Sequence, residues 1–176
     1  MSSEQRIMKK FEDYAYVLDF LPQGKLGTSR TAYRAEPLVQ IVGEDFFTLL
    51  EATPLINVSF SPGERVYIGK DMLRNKISHI IGRIEYRDLT TDAKGELPII
   101  LEGIVRNNEM RFVEFFNNAQ PITPRMHSLE LIPGIGKKYT WTILRSAEKK
   151  SFISFQDIKE RTELPDPAKL VAKRII

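Results

Sequence analysis

The stretch LELIPGIGKKYTWTIL, residues 129 to 144, decides how the C-terminal part of this chain is read. Two apolar, helix-patterned segments flank Pro133-Gly134-Ile135-Gly136, and Lys137 and Lys138 follow at once. Glycines at 134 and 136 permit positive φ and remove the Cβ atoms that would hold a partner away from the backbone. Ile135 between them can turn inward and staple the two segments. The second helix is expected to begin at or just after Gly136, so its first N–H groups lack helical acceptors and its N-terminus carries the positive end of the helix dipole. A phosphate oxygen can accept from that bare backbone, and Lys137 and Lys138 add full positive charge beside it.

Downstream, SFQDIKERTELPDPAKLVAKRII (154 to 176) reads as a second helix-turn-helix offset by about one hairpin unit. Leu164-Pro165-Asp166-Pro167 stands where the glycine pair would be. A carboxylate does not welcome phosphate, so this copy is expected to complete the fold, two hairpins sharing one core where a single hairpin would bury little. Lys169, Lys173 and Arg174 extend the basic surface. Four helices are predicted, over 124–132, 136–149, 154–162 and 167–175, with Thr123-Pro124 as cap and first helical residue of the first. Trp141 is expected in the core, because a helix that must bury one face more often buries its indole.

Upstream, Leu101, Ile104, Val105, Phe112, Val113, Phe115 and Phe116 recur at helical spacing from Leu97, with a break near Asn107-Asn108. Residues 88 to 98 read as a connection. Before it, segments 14–22, 35–53, 64–69 and 78–90 are rich in β-branched and aromatic residues and separated by turn chemistry such as Ser61-Pro62-Gly63. They predict a small, curled antiparallel sheet of the OB or a related barrel type. Phe60, Tyr67 and Tyr86 are expected to fill its core. Arg83 and Arg87, on the opposite phase of the last strand, are candidate phosphate contacts, diluted by Glu85 and Asp88. The predicted organisation is a β-barrel-like domain over 1–95 and an all-α domain over 96–176, with a helix-hairpin-helix at 126–148 and a degenerate one at 154–175.

Charge divides along the chain. Residues 1–121 hold 15 Lys and Arg against 17 Asp and Glu, whereas residues 122–176 hold 11 against 6, a net of +5. A polyanion is therefore expected on the C-terminal helices. The absence of cysteine excludes disulfides, thiol nucleophiles and Cys-type zinc sites. The two histidines, His79 and His127, are isolated and read as ordinary partly buried or surface rings. The acidic residues lie scattered in turn-like segments, with no two-metal pattern, P-loop or GxGxxG, so no catalytic constellation emerges. Apolar runs fall far below the roughly 20 residues of a bilayer span, and the N-terminus lacks a leader's apolar segment; a cytoplasmic protein is expected. The last predicted helix reaches Ile176 uncapped, leaving room for an extension.

The 129–144 stretch resembles a helix-hairpin-helix motif: an apolar residue, a spacer, Gly-apolar-Gly, a small residue four positions on (Thr140, where Ala is commoner) and an aliphatic three beyond it (Ile143). Such motifs grip nucleic-acid backbone without reading base edges, and the resemblance also implies a possible monovalent cation at the hairpin carbonyls. Through IIGRIEYRDLT, RFVEFFNNAQPITPRMHSLELIPGIGKKYTWTIL, FISFQDIKERTELPDP and KLVAKRI the chain is similar to an archaeal family expected to bind RNA, the domain-of-unknown-function-655 family. That resemblance implies a barrel-like part joined to a tandem helix-hairpin-helix, and no established reaction. The expected function is non-catalytic binding of nucleic acid, RNA ahead of DNA. Gly134, Ile135 and Gly136 would present backbone to phosphate, Lys137 and Lys138 would neutralise it, and Arg145, Lys149 and Lys173 would add secondary contacts beside Arg83 and Arg87. The alternatives are a protein–protein module in translation or transcription and an accessory domain of a DNA-processing assembly.

Overall fold

The computed structural model describes residues 11–25 and 36–176; the leader-free reading of the first ten residues lies outside them. The chain divides into two compact units, Met1–Leu97 and Pro98–Ile176. In the first, strands β1 (Tyr14–Leu21), β2 (Leu38–Gly43), β3 (Leu49–Pro54), β4 (Arg65–Tyr67) and β5 (Ile77–Arg83) form one antiparallel sheet in the order β4-β1-β2-β3-β5. Its register shifts between Val17 and Asp19, so Leu18 is an extra residue on β1, and β3 against β5 is irregular twice. Such bulges bend a strand and raise its twist, and the sheet curls into a half-barrel.

Alternation along the strands delivers Ala15, Val17, Val39, Ile41, Leu50, Ala52, Val66, Ile68 and Ile77 to one core, with Phe20, Phe60 and Ile80 packed against it. The opposite face of β2 presents Gln40, fully buried. Its amide donates to Glu51 Oε1 (3.0 Å) and the Asp88 carbonyl (3.1 Å), and its Oε1 accepts from Thr90 N–H (2.9 Å). A buried amide with three good partners is satisfied, and here it ties the sheet to the segment that leads into the helices. Glu12 plays a similar part at the β2–β3 turn, its buried carboxylate accepting the N–H groups of Asp45, Phe46 and Thr48 at 2.9, 2.9 and 3.2 Å. A side chain at Gly43 would overlap that carboxylate.

Three expectations are corrected here. The strand predicted over 78–90 ends at Arg83, and Tyr86–Asp88 is a 3-10 turn closed by reciprocal bonds between Glu85 and Asp88. Helix α1 (Thr91–Asn107) starts within the presumed connection, six residues before Leu97, because Thr90 caps it: its Oγ1 accepts from Ala93 N–H (3.0 Å) while donating to Asp19 Oδ2 (2.6 Å). Pro98 lies inside α1, where it removes one helical hydrogen bond. The helix expected over 124–132 is absent. Strands β6 (Pro121–Thr123) and β7 (Met126–His127) pair instead, followed by a single 3-10 turn, Ser128–Leu131.

The second unit holds the rest of α1, then α2 (Glu109–Asn118), α3 (Lys137–Lys149), α4 (Phe155–Thr162) and α5 (Pro167–Ile175). Its buried residues include Leu101, Ile104, Val113, Phe116, Leu129, Ile132, Ile143, Phe152, Ile158, Leu164 and Val171. Helix α3 packs against α2, α4 and the 3-10 turn, and α4 against α5. Asn117 fixes the α3–α4 connection by exchanging two hydrogen bonds with the Phe152 backbone, at 2.7 and 3.0 Å. Among the described residues no helix is long and apolar enough to cross a membrane.

Candidate nucleic-acid interface

The approach to the hairpin is a capped turn. His127 Nδ1 accepts the Leu129 N–H (3.1 Å), and Glu130 reaches back to accept the His127 N–H (2.7 Å). That backbone donor, together with Lys137, holds the Glu130 carboxyl below the usual carboxylate range. Ile132 N–H then donates to Leu129 O and Ile135 N–H to Ile132 O, two tight turns that aim Ile135 into the interior, where it is 4% exposed.

The two glycines differ in what the fold asks of them. Gly134 has φ +92, and a Cβ there would lie 3.2 Å from Leu170 Cδ2 of α5. The positive φ is what favours glycine here, and the approach to Leu170 adds a tight contact that its side chain would have to relieve. Gly136 caps α3 at φ −93 and ψ −169, extended backbone open to any residue, and a Cβ there would meet nothing within 4 Å. Nothing in the fold requires this glycine. It also leaves α3 without a side-chain cap. The first helical hydrogen bond is Thr140 N–H to Gly136 O (3.0 Å), so the N–H groups of Lys137, Lys138 and Tyr139 lie ahead of it with no helical acceptor. Thr140, the small-residue position, is buried, and its Oγ1 donates to the same Gly136 carbonyl at 2.9 Å. The hydroxyl that distinguishes it from Ala is thereby satisfied and locks the turn.

The candidate cations differ in what they meet. Lys137 is drawn back into the hairpin, its Nζ donating to the Arg125 carbonyl (3.0 Å) and pairing with Glu130 (3.4 Å). The ammonium groups of Lys138 and Lys149 are exposed and have no partner among the described residues. Arg145 lies over the Trp141 ring, 5.3 Å from its centroid. Lys149 is not occupied in capping the end of α3. Arg161 does that, donating to the carbonyls of Ser146 (2.5 Å) and Lys150 (2.6 Å) while pairing with Asp157. Sequence reading missed Arg161; its only signal was a cation two turns into the next helix. Lys173 is exposed on α5, one turn beyond the Leu170 that packs at Gly134. Arg83 and Arg87 belong to the first unit. Arg83 ends β5, and Arg87 sits in the 3-10 turn, paired with Glu85 at 3.0 Å rather than presented by a strand.

Two aromatic expectations are corrected. Trp141 is 64% exposed, because Thr140 and Ile143 set the buried face of α3 and residue 141 lies away from both. Tyr86 is also exposed, with Lys94 over its ring, whereas Phe60 packs on the core and Tyr67 packs edge-on against Tyr14. The second hairpin is closed from within. Asp166, at φ +39, caps α5 by accepting Lys169 N–H (3.3 Å) and pairs with Arg106 (2.9 Å). Its carboxylate occupies the position that an external anion would take. In the half-barrel, a cavity of about 630 Å³ is lined by Phe11, Leu50, Lys70, Arg74 and Arg83 among others. Among the described residues no His, Asp or Glu cluster is placed to hold a metal ion.

The chain resembles known proteins along nearly its whole length. It is 47% identical over 167 residues to "Uncharacterized protein MJ0038" of Methanocaldococcus jannaschii, covering 95% of this chain and 74% of that one. Its fold matches the crystal structure of Af1531 from Archaeoglobus fulgidus with a TM-score of 0.86 and 47% identity, over 93% of this chain and 91% of that chain. The family model described as "Protein of unknown function (DUF655)" matches residues 11–176. With the match spanning both the half-barrel and the helical unit, the chain belongs to this DUF655 family.

Proposed function

We propose that this protein binds nucleic acid, RNA in preference to DNA, and that a turn of helix-hairpin-helix type around Gly134–Lys138, with the 3-10 turn Ser128–Leu131 in place of its first helix, grips the phosphate backbone. The observation that carries the reading is Gly136. The fold needs neither its φ nor its missing Cβ, yet the absence of a side chain leaves the first amides of α3 uncapped and open to approach. A phosphate is the acceptor that suits those amides, and Lys138 stands beside them. In this reading the Asp166 hairpin is the second member of the tandem and serves the fold. The half-barrel, used as OB-type sheets are, supplies any sequence preference, since backbone contacts position without specifying. The preference for RNA rests on the family resemblance of the central segments.

The test has an internal control. On addition of RNA, the backbone amide resonances of Gly136, Lys137, Lys138 and Tyr139 should shift, and those of Asp166 to Lys169 should stay in place. Shifts confined to the half-barrel, or none, would overturn the hairpin assignment. A second reading draws on the loop after β4, where Met72 and Leu73 are exposed beside Lys70 and Arg74, Leu73 almost completely. Such a tip suits a protein partner, and capture of a protein that survives nuclease treatment would favour that reading.

A further inference from the structure

Trp141 is the sole tryptophan of the sequence, and it lies on the exposed side of α3. Its helical neighbours on that side are Lys138, one turn before it, and Arg145 and Lys149, one and two turns after it. Lys138, Trp141, Arg145 and Lys149 are all exposed and form one stripe, cationic at three of its four positions, with the exposed Glu148 two turns beyond Trp141 at its far end. The stripe starts where the hairpin ends. The Arg145 guanidinium lies over one face of the indole; a ring has two faces, and the 64% exposure of Trp141 leaves the indole accessible. An aromatic plate among exposed cations is a poor docking site for an apolar protein surface, which would bury those charges without carboxylate partners. It suits a polymer that alternates aromatic rings with anions.

We propose that Trp141 stacks on an unpaired base of single-stranded RNA whose phosphates follow Lys138, Arg145 and Lys149. The hairpin would then select single-stranded or locally open RNA. In a duplex the bases are stacked on one another and present no free face to a side chain, whereas splayed bases in single strands stack on protein aromatics. This inference rests on the nucleic-acid reading above and adds to it which form of RNA is held and by which side chain.

Because Trp141 is the only tryptophan, its fluorescence reports the contact directly. Unlabelled oligouridylate should quench the emission of the full chain, and an RNA duplex of equal length should not. In parallel, anisotropy of labelled RNA measures binding independently of the indole. Trp141→Ala should weaken the single strand by about 5- to 150-fold, the range for one lost base stack, and leave duplex affinity within about twofold. Trp141→Phe should recover most of the loss. The indole is largely exposed, so both variants should fold, and circular dichroism checks that they do. Salt-sensitive binding with unchanged emission, and Trp141→Ala binding like the parent, would overturn the stacking while leaving the phosphate grip intact. Equal quenching by duplex and single strand would overturn the selectivity. No binding of either RNA would remove both the stacking and the grip.

Discussion

Replacing Gly136 by Asp separates the hairpin's fold from its proposed function, and the protein already contains the comparison. At Asp166 the second hairpin carries an aspartate cap that accepts the Lys169 N–H and fills the anion position. Position 136 tolerates the change, since its backbone is extended and a Cβ would meet nothing within 4 Å. An Asp cap is better than a Gly cap by a few tenths of a kcal/mol, and a carboxylate at an N-terminus gains about 0.3–1 kcal/mol from the dipole. Gly136→Asp should therefore unfold at the same temperature as the parent or about 1–4 °C higher. Binding should move the other way. The new carboxylate takes the amides meant for phosphate and repels it, removing charge-assisted bonds worth about 1.5–3 kcal/mol, or about 10- to 150-fold in affinity. Thermal unfolding and RNA-binding anisotropy on the same preparation measure both. A Gly136→Asp protein that is as stable as the parent and binds RNA equally well would refute the argument.

Further outcomes follow from the same geometry. Lys138→Ala should lower the slope of log affinity against log salt by about 0.7, one single-strand phosphate contact, and Lys137→Ala by less, because Lys137 already pairs with Glu130; salt titrations of the two variants check the order. Gly134→Ala should destabilise the helical unit by about 1–3 kcal/mol through positive φ and the approach to Leu170, measurable by denaturant unfolding. The folded-state value of Glu130 is lowered, chiefly by the His127 N–H, so its stabilisation is complete above the ordinary carboxylate range and is lost as pH falls through that lowered value. Glu130→Gln should accordingly flatten the acid limb of the stability profile, and an unchanged limb would remove Glu130 from it.

Much of the fold could be read along the chain because local pattern and tertiary demand agreed. β1, β3 and β4 alternate and β2 is a largely apolar run bounded by turns, while α4 and α5 carry side-chain caps at Ser154 and Asp166 and α3 starts at the glycine turn. The reading failed where a distant partner decided the outcome. The polar first turns of α1, with Gly95 and Pro98, look like a linker, yet Asp19 and Gln40 of the sheet fix Thr90 as a cap. Thr123-Pro124 carries a helix-start signal, but the following residues pair back on Pro121–Thr123 and His127 supplies the cap. Trp141 was within reach of sequence: once Thr140 and Ile143 are assigned to the buried face, helical geometry turns residue 141 away from Ile143. The hairpin glycines were legible as a pair. Backbone conformation separates them: Gly134 sits at positive φ, whereas Gly136 is extended with open space at its Cβ position.

The most direct test of the central claim is anisotropy of labelled single-stranded RNA, structured RNA and duplex DNA with the intact chain across a range of salt. The account predicts binding that prefers RNA and weakens with salt at a log–log slope of about 2, from the phosphates met by Lys138, Arg145 and Lys149. Absence of binding to all three at low salt, or binding indifferent to salt, would contradict it.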